Sequence, residues 1–234
     1  MKINKRKIAP DYNRIPHFNK EISNMTHDDI ELELNIDFPI ECWIQEKVDG
    51  ANLGVSFIDD APILRNREHI LKKGYSKIKT PAKKQFTSAW NWLHDHKEDI
   101  QLISELWQSP ITIYGEWMFA QHSLEYDKLP DLFLAYDIWS VEDNAYLSPE
   151  IVNTMLSKTN INYIKSHKVI LNNIQDIIEW SEKESDYRTG IREGIVIKHA
   201  DGRFCNQMYK VVNRHFQRRE GFNEELIKNS LVGK

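Results

Sequence analysis

Apolar and polar positions along the chain fall into two rhythms, one of strand period and one of helix period. Residues 42–48 and 51–58 read as strands joined at Asp49-Gly50, a pair that favours a tight hairpin turn. Thr80-Pro81 offers a helix start, and Phe86, Trp90 and Leu93 follow at i, i+4 and i+7 on one amphipathic face. Ile100, Ile103 and Trp107 mark a second helix; these aromatics read as core, with base stacking the alternative. Residues 111–119 and 132–139 are β-rich apolar runs, and 149–158 and 172–183 read as helices, the first opened by Ser148-Pro149. Strands at 194–199 and 207–212 are joined by Asp201-Gly202, and a basic helix is expected over about 214–230. Strand pairs interleaved with helices, without a βαβ rhythm, predict an α+β fold of antiparallel sheets flanked by helices. No repeat, low-complexity tract or long linker interrupts residues 1–234, so a single domain is expected.

Composition narrows the class. A chain of 234 residues with 41% hydrophobic and 28% charged residues can bury a full core. No apolar run reaches membrane-spanning length, and the N-terminus lacks the apolar segment of a secretory signal. Cys42 and Cys205 are too few and too distant for a disulfide framework or zinc site, so a reduced cytoplasmic setting is expected, with no membrane partner. The net charge of −4 is unevenly spread. Residues 1–20 form a basic arm, with Lys2, Lys5, Arg6, Lys7, Arg14 and Lys20 against Asp11. Arg203, Lys210, Arg214, Arg218, Arg219, Lys228 and Lys234 outnumber four acids in residues 201–234. Basic ends on an acidic body can mark a polyanion's place, or lysines can simply solvate the terminus.

Several strands carry ionisable residues where a buried strand rarely accepts them. Lys47, Glu116, Asp137, Glu193, Lys198 and Lys210 are such residues. Lysines and carboxylates in comparable number can balance one another in a shared site, or form separate strand-edge ion pairs. A lysine followed two residues later by Asp-Gly can also act as a nucleophile on a nucleotide phosphate.

In order, these segments resemble one family. Glu46-Lys47-Val48-Asp49-Gly50-Ala51-Asn52 looks like motif I of the covalent nucleotidyltransferase superfamily of ligases and capping enzymes, and Arg65-Asn66-Arg67 resembles its downstream arginine motif. Tyr114-Gly115-Glu116-Trp117 resembles motif III, and Phe133 to Ile138 its aromatic follow-on. Glu193 to Lys198 resembles motif IV, and Tyr209 to Asn213 motif V. The wording around Asn52, His122-Ser123 and Tyr126-Asp127 is most similar to ATP-dependent RNA ligases of the phage type.

That resemblance implies an ATP-grasp-like ligase domain and a set of roles. Lys47 is the implied nucleophile, and Lys198 and Lys210 bind the α-phosphate. Cations beside Lys47, namely Lys198, Lys210 and the cofactor Mg²⁺ (or Mn²⁺), are expected to lower its pKa. Glu193 is the metal-associated carboxylate; Asp49 either structures the turn or assists the metal. Glu116 accepts from ribose hydroxyls, Tyr136 stacks on adenine, and Glu46 joins the nucleotide-binding set. Arg67 contacts ribose or phosphate, with Arg65 the alternative, and Asn52 serves the RNA-dependent steps. The implied reaction passes AMP from ATP to Lys47, then to an RNA 5′-phosphate, and a 3′-hydroxyl expels it. RNA ends prepared by a healing kinase or phosphatase are the expected partners.

Two departures qualify the likeness. Val212 stands where many relatives place a second motif V lysine, on the same strand face as Lys210, with Arg214 the nearest substitute. Only 21 residues follow Asn213, so no OB-fold is expected. RNA contacts are then expected from Arg214, Arg218 and Arg219, unless that basic helix is only a solvated face. The alternatives are a DNA ligase, a GTP-dependent capping enzyme or a catalytically retired RNA-binding domain.

Overall fold

Strand alternation determines which residues of this chain meet. The computed structural model describes residues 5–26, 29–30, 37–58, 60–72, 84–217 and 226–232. Its strands are β1 (Ile40–Lys47), β2 (Ala51–Ile58), β3 (Ala61–Arg65), β4 (Ile70–Leu71), β5 (Ile111–Trp117), β6 (Phe133–Ser140), β7 (Ala145–Leu147), β8 (Ser166–Leu171), β9 (Gly194–Asp201) and β10 (Phe204–Val212). They form a sheet in the order β4-β3-β2-β5-β6-β7-β10-β9-β1-β8, and every pairing between these strands is antiparallel. The helices are a single turn α1 (Lys5–Ile8), α2 (Ala89–Asp95), α3 (Lys97–Trp107), α4 (Pro149–Leu156) and α5 (Ile174–Ser181). This is the expected mixed fold, a large antiparallel sheet with helices against it.

Two apolar layers hold the sheet. On the β2, β5 and β6 half, Leu53, Val55, Ile113, Trp117, Phe133 and Ile138 pack with Leu93, Ile100, Ile103 and Leu156 from the helices. On the β1, β9 and β10 half, Ile44, Ile195, Ile197 and Val211 pack with Ile177 of α5 and with Phe18 and Ile22. Burying each such side chain contributes roughly 1.5–3 kcal/mol. An exposed ion pair is worth about 0–1 kcal/mol, so the apolar alternation sets which face turns inward. Helix ends follow local chemistry: Pro149 occupies the first turn of α4, and the Asn173 side chain accepts from the Asp176 amide at the start of α5.

The Asp49-Gly50 pair does not close a hairpin. β1 pairs with β8 and β9, whereas β2 pairs with β3 and β5, so the dipeptide carries the chain from one half of the sheet to the other. Asp49 Oδ2 accepts from the Ser123 and Leu124 amides at 2.6 and 3.2 Å, and the Asp49 amide donates to Tyr126 Oη at 2.7 Å. Gly50 is needed for close approach, because a Cβ there would lie 2.6 Å from Met118 Sδ. By contrast, Gly202 has φ +60° and closes the expected β9–β10 hairpin.

Four strands escape the apolar pattern. β3, β4 and β7 are short, and β8 is an edge strand of Ser-His-Lys-Val-Ile-Leu whose Ile170 is exposed. Their pairing partners define them more than their own composition. The Thr80-Pro81 helix start lies outside the described residues. The basic helix expected over 214–230 is corrected where it can be seen. Residues 214–217 form a turn and coil after the Asn213 side chain accepts from the His215 amide. Residues 226–232 run extended against the 119–129 segment, with bridges Ala120–Lys228 and Leu129–Leu231. The described part of the basic N-terminal arm is also packed down: Tyr12, His17 and Phe18 are buried. Among the described residues no helix is long and apolar enough to cross a membrane.

Candidate active site

One face of β1, β9 and β10 is polar where the opposite face is core. Lys47 pairs in register with Gly194, Lys210 with Val196, and Val212 with Gly194. Alternation therefore places Gln45, Lys47, Val196, Lys198, Lys210 and Val212 on the wall of one cleft of about 710 Å³. The facing wall comes from the other half of the sheet. Glu116 on β5 pairs with Asn52 on β2. The β5–β6 register shifts between Tyr114–Asp137 and Gly115–Ala135, leaving Tyr136 as an extra residue. That bulge turns both Tyr136 and Asp137 away from the layer holding Ala135 and Ile138, toward Lys198.

At the junction, Lys47 Nζ donates to both oxygens of Glu193 at 2.6 Å. Burial works against its charge, but Glu193, Asp49 and Glu116 outweigh that and hold its pKa above the ordinary lysine value. Among its protein neighbours the carboxylates, rather than the expected cations Lys198 and Lys210, set that direction. Lys198 donates instead to Asp137 at 2.7 Å and to the Tyr136 carbonyl at 3.0 Å, and Lys210 donates to Asp29 at 2.7 Å. Burial pushes the Glu193 carboxyl up to about 7, with Lys47 opposing the shift. Burial likewise pushes Glu116 up to about 8, against Lys47 and Arg67, and Glu116 Oε2 is buried without a hydrogen-bond partner. In this resting state Lys47 is an ammonium ion beside carboxyl groups that burial pushes toward their neutral form.

Tyr136 is 8% exposed and lines the cleft, with Tyr12 packed edge-on at 5.4 Å. Asn52 lies beside it, its Nδ2 donating to Tyr136 Oη at 2.5 Å; it supports the tyrosine rather than lining the cleft. Glu46 borders the cleft, but its carboxylate accepts from Ser185 Oγ and the Asp186 amide and faces Arg192. Arg65 and Arg67 divide as their spacing suggests. Arg65 is fully buried and donates to Asp11 and to the Ala9, Asn66 and Arg67 carbonyls, while Arg67 is exposed at the cleft. Arg214 is exposed and does not line the cleft; Arg218 and Arg219 lie outside the described residues.

The sequence marks residues 1–20 only as a basic arm, whereas the structure brings the segment before β1 to the cleft. Tyr12 donates to Asp137 Oδ2 at 2.7 Å, so Asp137 is shared between Tyr12 and Lys198. Asn13, Arg14, Asn24, Thr26 and Asp29 also line the cleft. These residues lie outside regular secondary structure and follow no period, so only their position against β10 reveals them. His122-Ser123, part of the resemblance to phage-type RNA ligases, opens a loop whose Ser123 and Leu124 amides hold Asp49.

A family model described as RNA ligase matches residues 40–212. Solved structures of a Naegleria gruberi RNA ligase share the fold. One, a variant with AMP and manganese, has a TM-score of 0.54 at 16% identity, covering 74% of this chain and 49% of that one. The same ligase with pyrophosphate has a TM-score of 0.55 at 19% identity, with the same coverage. Another variant, with ATP and manganese, has a TM-score of 0.53 at 18% identity, covering 74% and 50%. This chain therefore spans about half the length of those ligases. No curated protein sequence matches it.

Proposed function

The chain belongs to the RNA ligase family, and from that premise we propose that it is an ATP-dependent RNA ligase whose nucleophile is Lys47. The observation that carries this reading is the position of the Lys47 amine, at the crossing between the two halves of the sheet and on the cleft wall beside Glu193. In the first step the Lys47 ammonium loses one proton to become a nucleophile and a second as Nζ bonds the α-phosphorus of ATP, and the bond to pyrophosphate breaks. AMP then passes to an RNA 5′-phosphate. A 3′-hydroxyl attacks that activated end, forming the phosphodiester and releasing AMP. The chemistry rests on positioning and charge neutralisation.

This chain's residues divide those tasks. Tyr136 stacks on adenine, held in place by Asn52 and Tyr12. Glu116 meets the ribose hydroxyls with its unpartnered oxygen, and Arg67 closes that side of the cleft. Lys198 and Lys210 meet the phosphate, each oriented by its own aspartate. Glu193 orients the Lys47 amine, its oxygens 2.6 Å from Nζ, and the protons that leave the amine pass to solvent.

The donors fit a divalent cation held partly by water. Burial pushes both Glu193 and Glu116 toward the neutral form, and a cation beside them would favour the charged form. Among the described residues no group of three or more His, Cys, Asp or Glu side chains could hold a metal. Mg²⁺ usually keeps several waters and uses one or two carboxylates plus substrate phosphates. Glu193 would hold it, with Asp49 able to assist only through Oδ1 because Oδ2 is committed to two amides. Such an ion supplies charge neutralisation at the phosphate and carboxylates.

The neighbours solved with ATP, AMP, pyrophosphate and manganese support ATP and a divalent metal as cofactors. The RNA ends are a 5′-phosphate and a 3′-hydroxyl, as left by kinase and phosphatase healing reactions in RNA repair. The test is sealing of 5′-phosphorylated RNA and of matched DNA, with ATP or GTP. Ligated RNA with ATP supports the proposal. Sealing of DNA alone, activity with GTP alone, or no sealing would each overturn it.

A further inference from the structure

The segment before the family-matched region reaches into the cleft along β10. The Lys210 amide donates to the Pro16 carbonyl at 2.9 Å, and the Phe18 amide donates to the Lys210 carbonyl at 3.0 Å. Two residues on, the Asn24 amide donates to the Val212 carbonyl, and the Val212 amide donates to Ser23 Oγ, both at 2.9 Å. Residues 16–24 thus grip both strand positions where the family motif places its cations. Val212 offers none, so Lys210 is the lysine of that strand in the cleft.

The same segment holds the Lys210 side chain. Asp29 Oδ2 accepts from the Thr26 amide and hydroxyl, each at 2.9 Å. Its Oδ1 accepts from Lys210 Nζ at 2.7 Å and lies 3.4 Å from His17 Nε2. His17 is fully buried and fixed at Nδ1 by Ser23 Oγ. One oxygen of Asp29 is locked by local bonds while the other points at the lysine. A carboxylate held in this way takes one ammonium proton and leaves two to meet an acceptor.

We propose that Asp29 is a positioning residue that fixes Lys210 for the phosphate, so that a segment outside the family-matched region completes the nucleotide site. This rests on the ligase reading for its consequence but not for its geometry. Lys210 Nζ held by Asp29 before substrate arrives has less ordering left to do in the transition state. A single pre-oriented lysine can then serve where relatives use two. Among the described residues the charged groups that face it include Asp29 on this segment, Lys47 on β1 and Glu193 before β9, with the titratable His17 beside Asp29. Burial lowers the pKa of Lys210, and Asp29 opposes that shift.

Two readouts separate failure of this inference from failure of the ligase reading. The first needs no catalysis: the Lys210 amine is titrated by competitive acetylation with acetic anhydride and peptide mass spectrometry. Asp29→Asn should move its midpoint to lower pH; an unchanged midpoint overturns the inference. The second is single-turnover labelling of the protein by ATP and Mg²⁺. Asp29→Asn should slow labelling roughly tenfold to a hundredfold, yet cause no further loss in a Lys210→Met background. An equal loss in both backgrounds assigns Asp29 to general stability and overturns the proposal. Should Asp29→Asn fail to fold, Thr26→Val is used, and its smaller loss should likewise depend on Lys210. A wild type that takes no label sinks the ligase reading while leaving the acetylation test decisive for Asp29.

Discussion

Removing the Lys198 ammonium should strongly destabilise the protein before it informs on catalysis. Lys198 and Asp137 are each about 1% exposed and lie 2.7 Å apart. Lys198→Met leaves Asp137 with the Tyr12 hydroxyl as its remaining hydrogen-bond donor at the pair. Breaking one side of a buried pair costs about 3–5 kcal/mol, because the surviving charge has lost its partner. Typical domains have only about 5–15 kcal/mol in total, so Lys198→Met should lose a large fraction of its stability. Lys198→Met with Asp137→Asn removes both charges and keeps an oxygen for Tyr12; most of that stability should return. The assay is equilibrium urea unfolding followed by tryptophan fluorescence, with the midpoint compared at unchanged slope. Labelling by ATP should remain lost in the double variant, since the phosphate-binding cation is still missing. A single variant within 1 kcal/mol of wild type, or a double variant no more stable than the single, would refute the reasoning.

Three further outcomes are expected. The folded-state pKa of His17 is lowered by burial from 6.5 to about 4, so the unfolded chain binds its proton first. Stability should therefore fall as pH drops from 6.5 towards 4, by up to roughly 3 kcal/mol, and the gap between wild type and His17→Gln in urea midpoints should narrow over that range. Gly50→Ala puts a methyl group 2.6 Å from Met118 Sδ and should cost about 1–3 kcal/mol. It should also slow labelling of Lys47 by ATP, measured in single turnover, because the crossing that presents Lys47 must shift. Tyr136→Phe strands Asn52, whose Oδ1 already lacks a partner, and should cost about 1–3 kcal/mol in urea unfolding. It should leave KM for ATP unchanged, whereas Tyr136→Leu should raise it.

Much of the site was legible because strand alternation and motif order speak for residues such as Lys47, Glu116, Tyr136, Glu193, Lys198 and Lys210. All six line the cleft. Their pairing was not legible. Whether Lys198 faces Lys47 or Asp137 depends on a bulge at Tyr136, and an apolar run does not announce which residue is extra. The Asp49-Gly50 turn misled for a similar reason: an Asp-Gly pair suits a hairpin, but here tertiary contacts with residues 117–126 decide its course. The N-terminal segment carried no period, so Tyr12, His17 and Asp29 emerged only from their hydrogen bonds. Basic composition after Asn213 suggested a helix; residues 226–232 instead run extended, bonded to the 118–129 segment through Asn229 and the backbone.

The central claim is that Lys47 carries AMP. Incubating the protein with ATP and Mg²⁺, digesting it and mapping the adenylyl group by mass spectrometry tests this directly. The modification should fall on the peptide containing Lys47, be released by pyrophosphate, and be absent from Lys47→Ala. An adenylyl group on another residue, or none on a folded protein, would contradict the account.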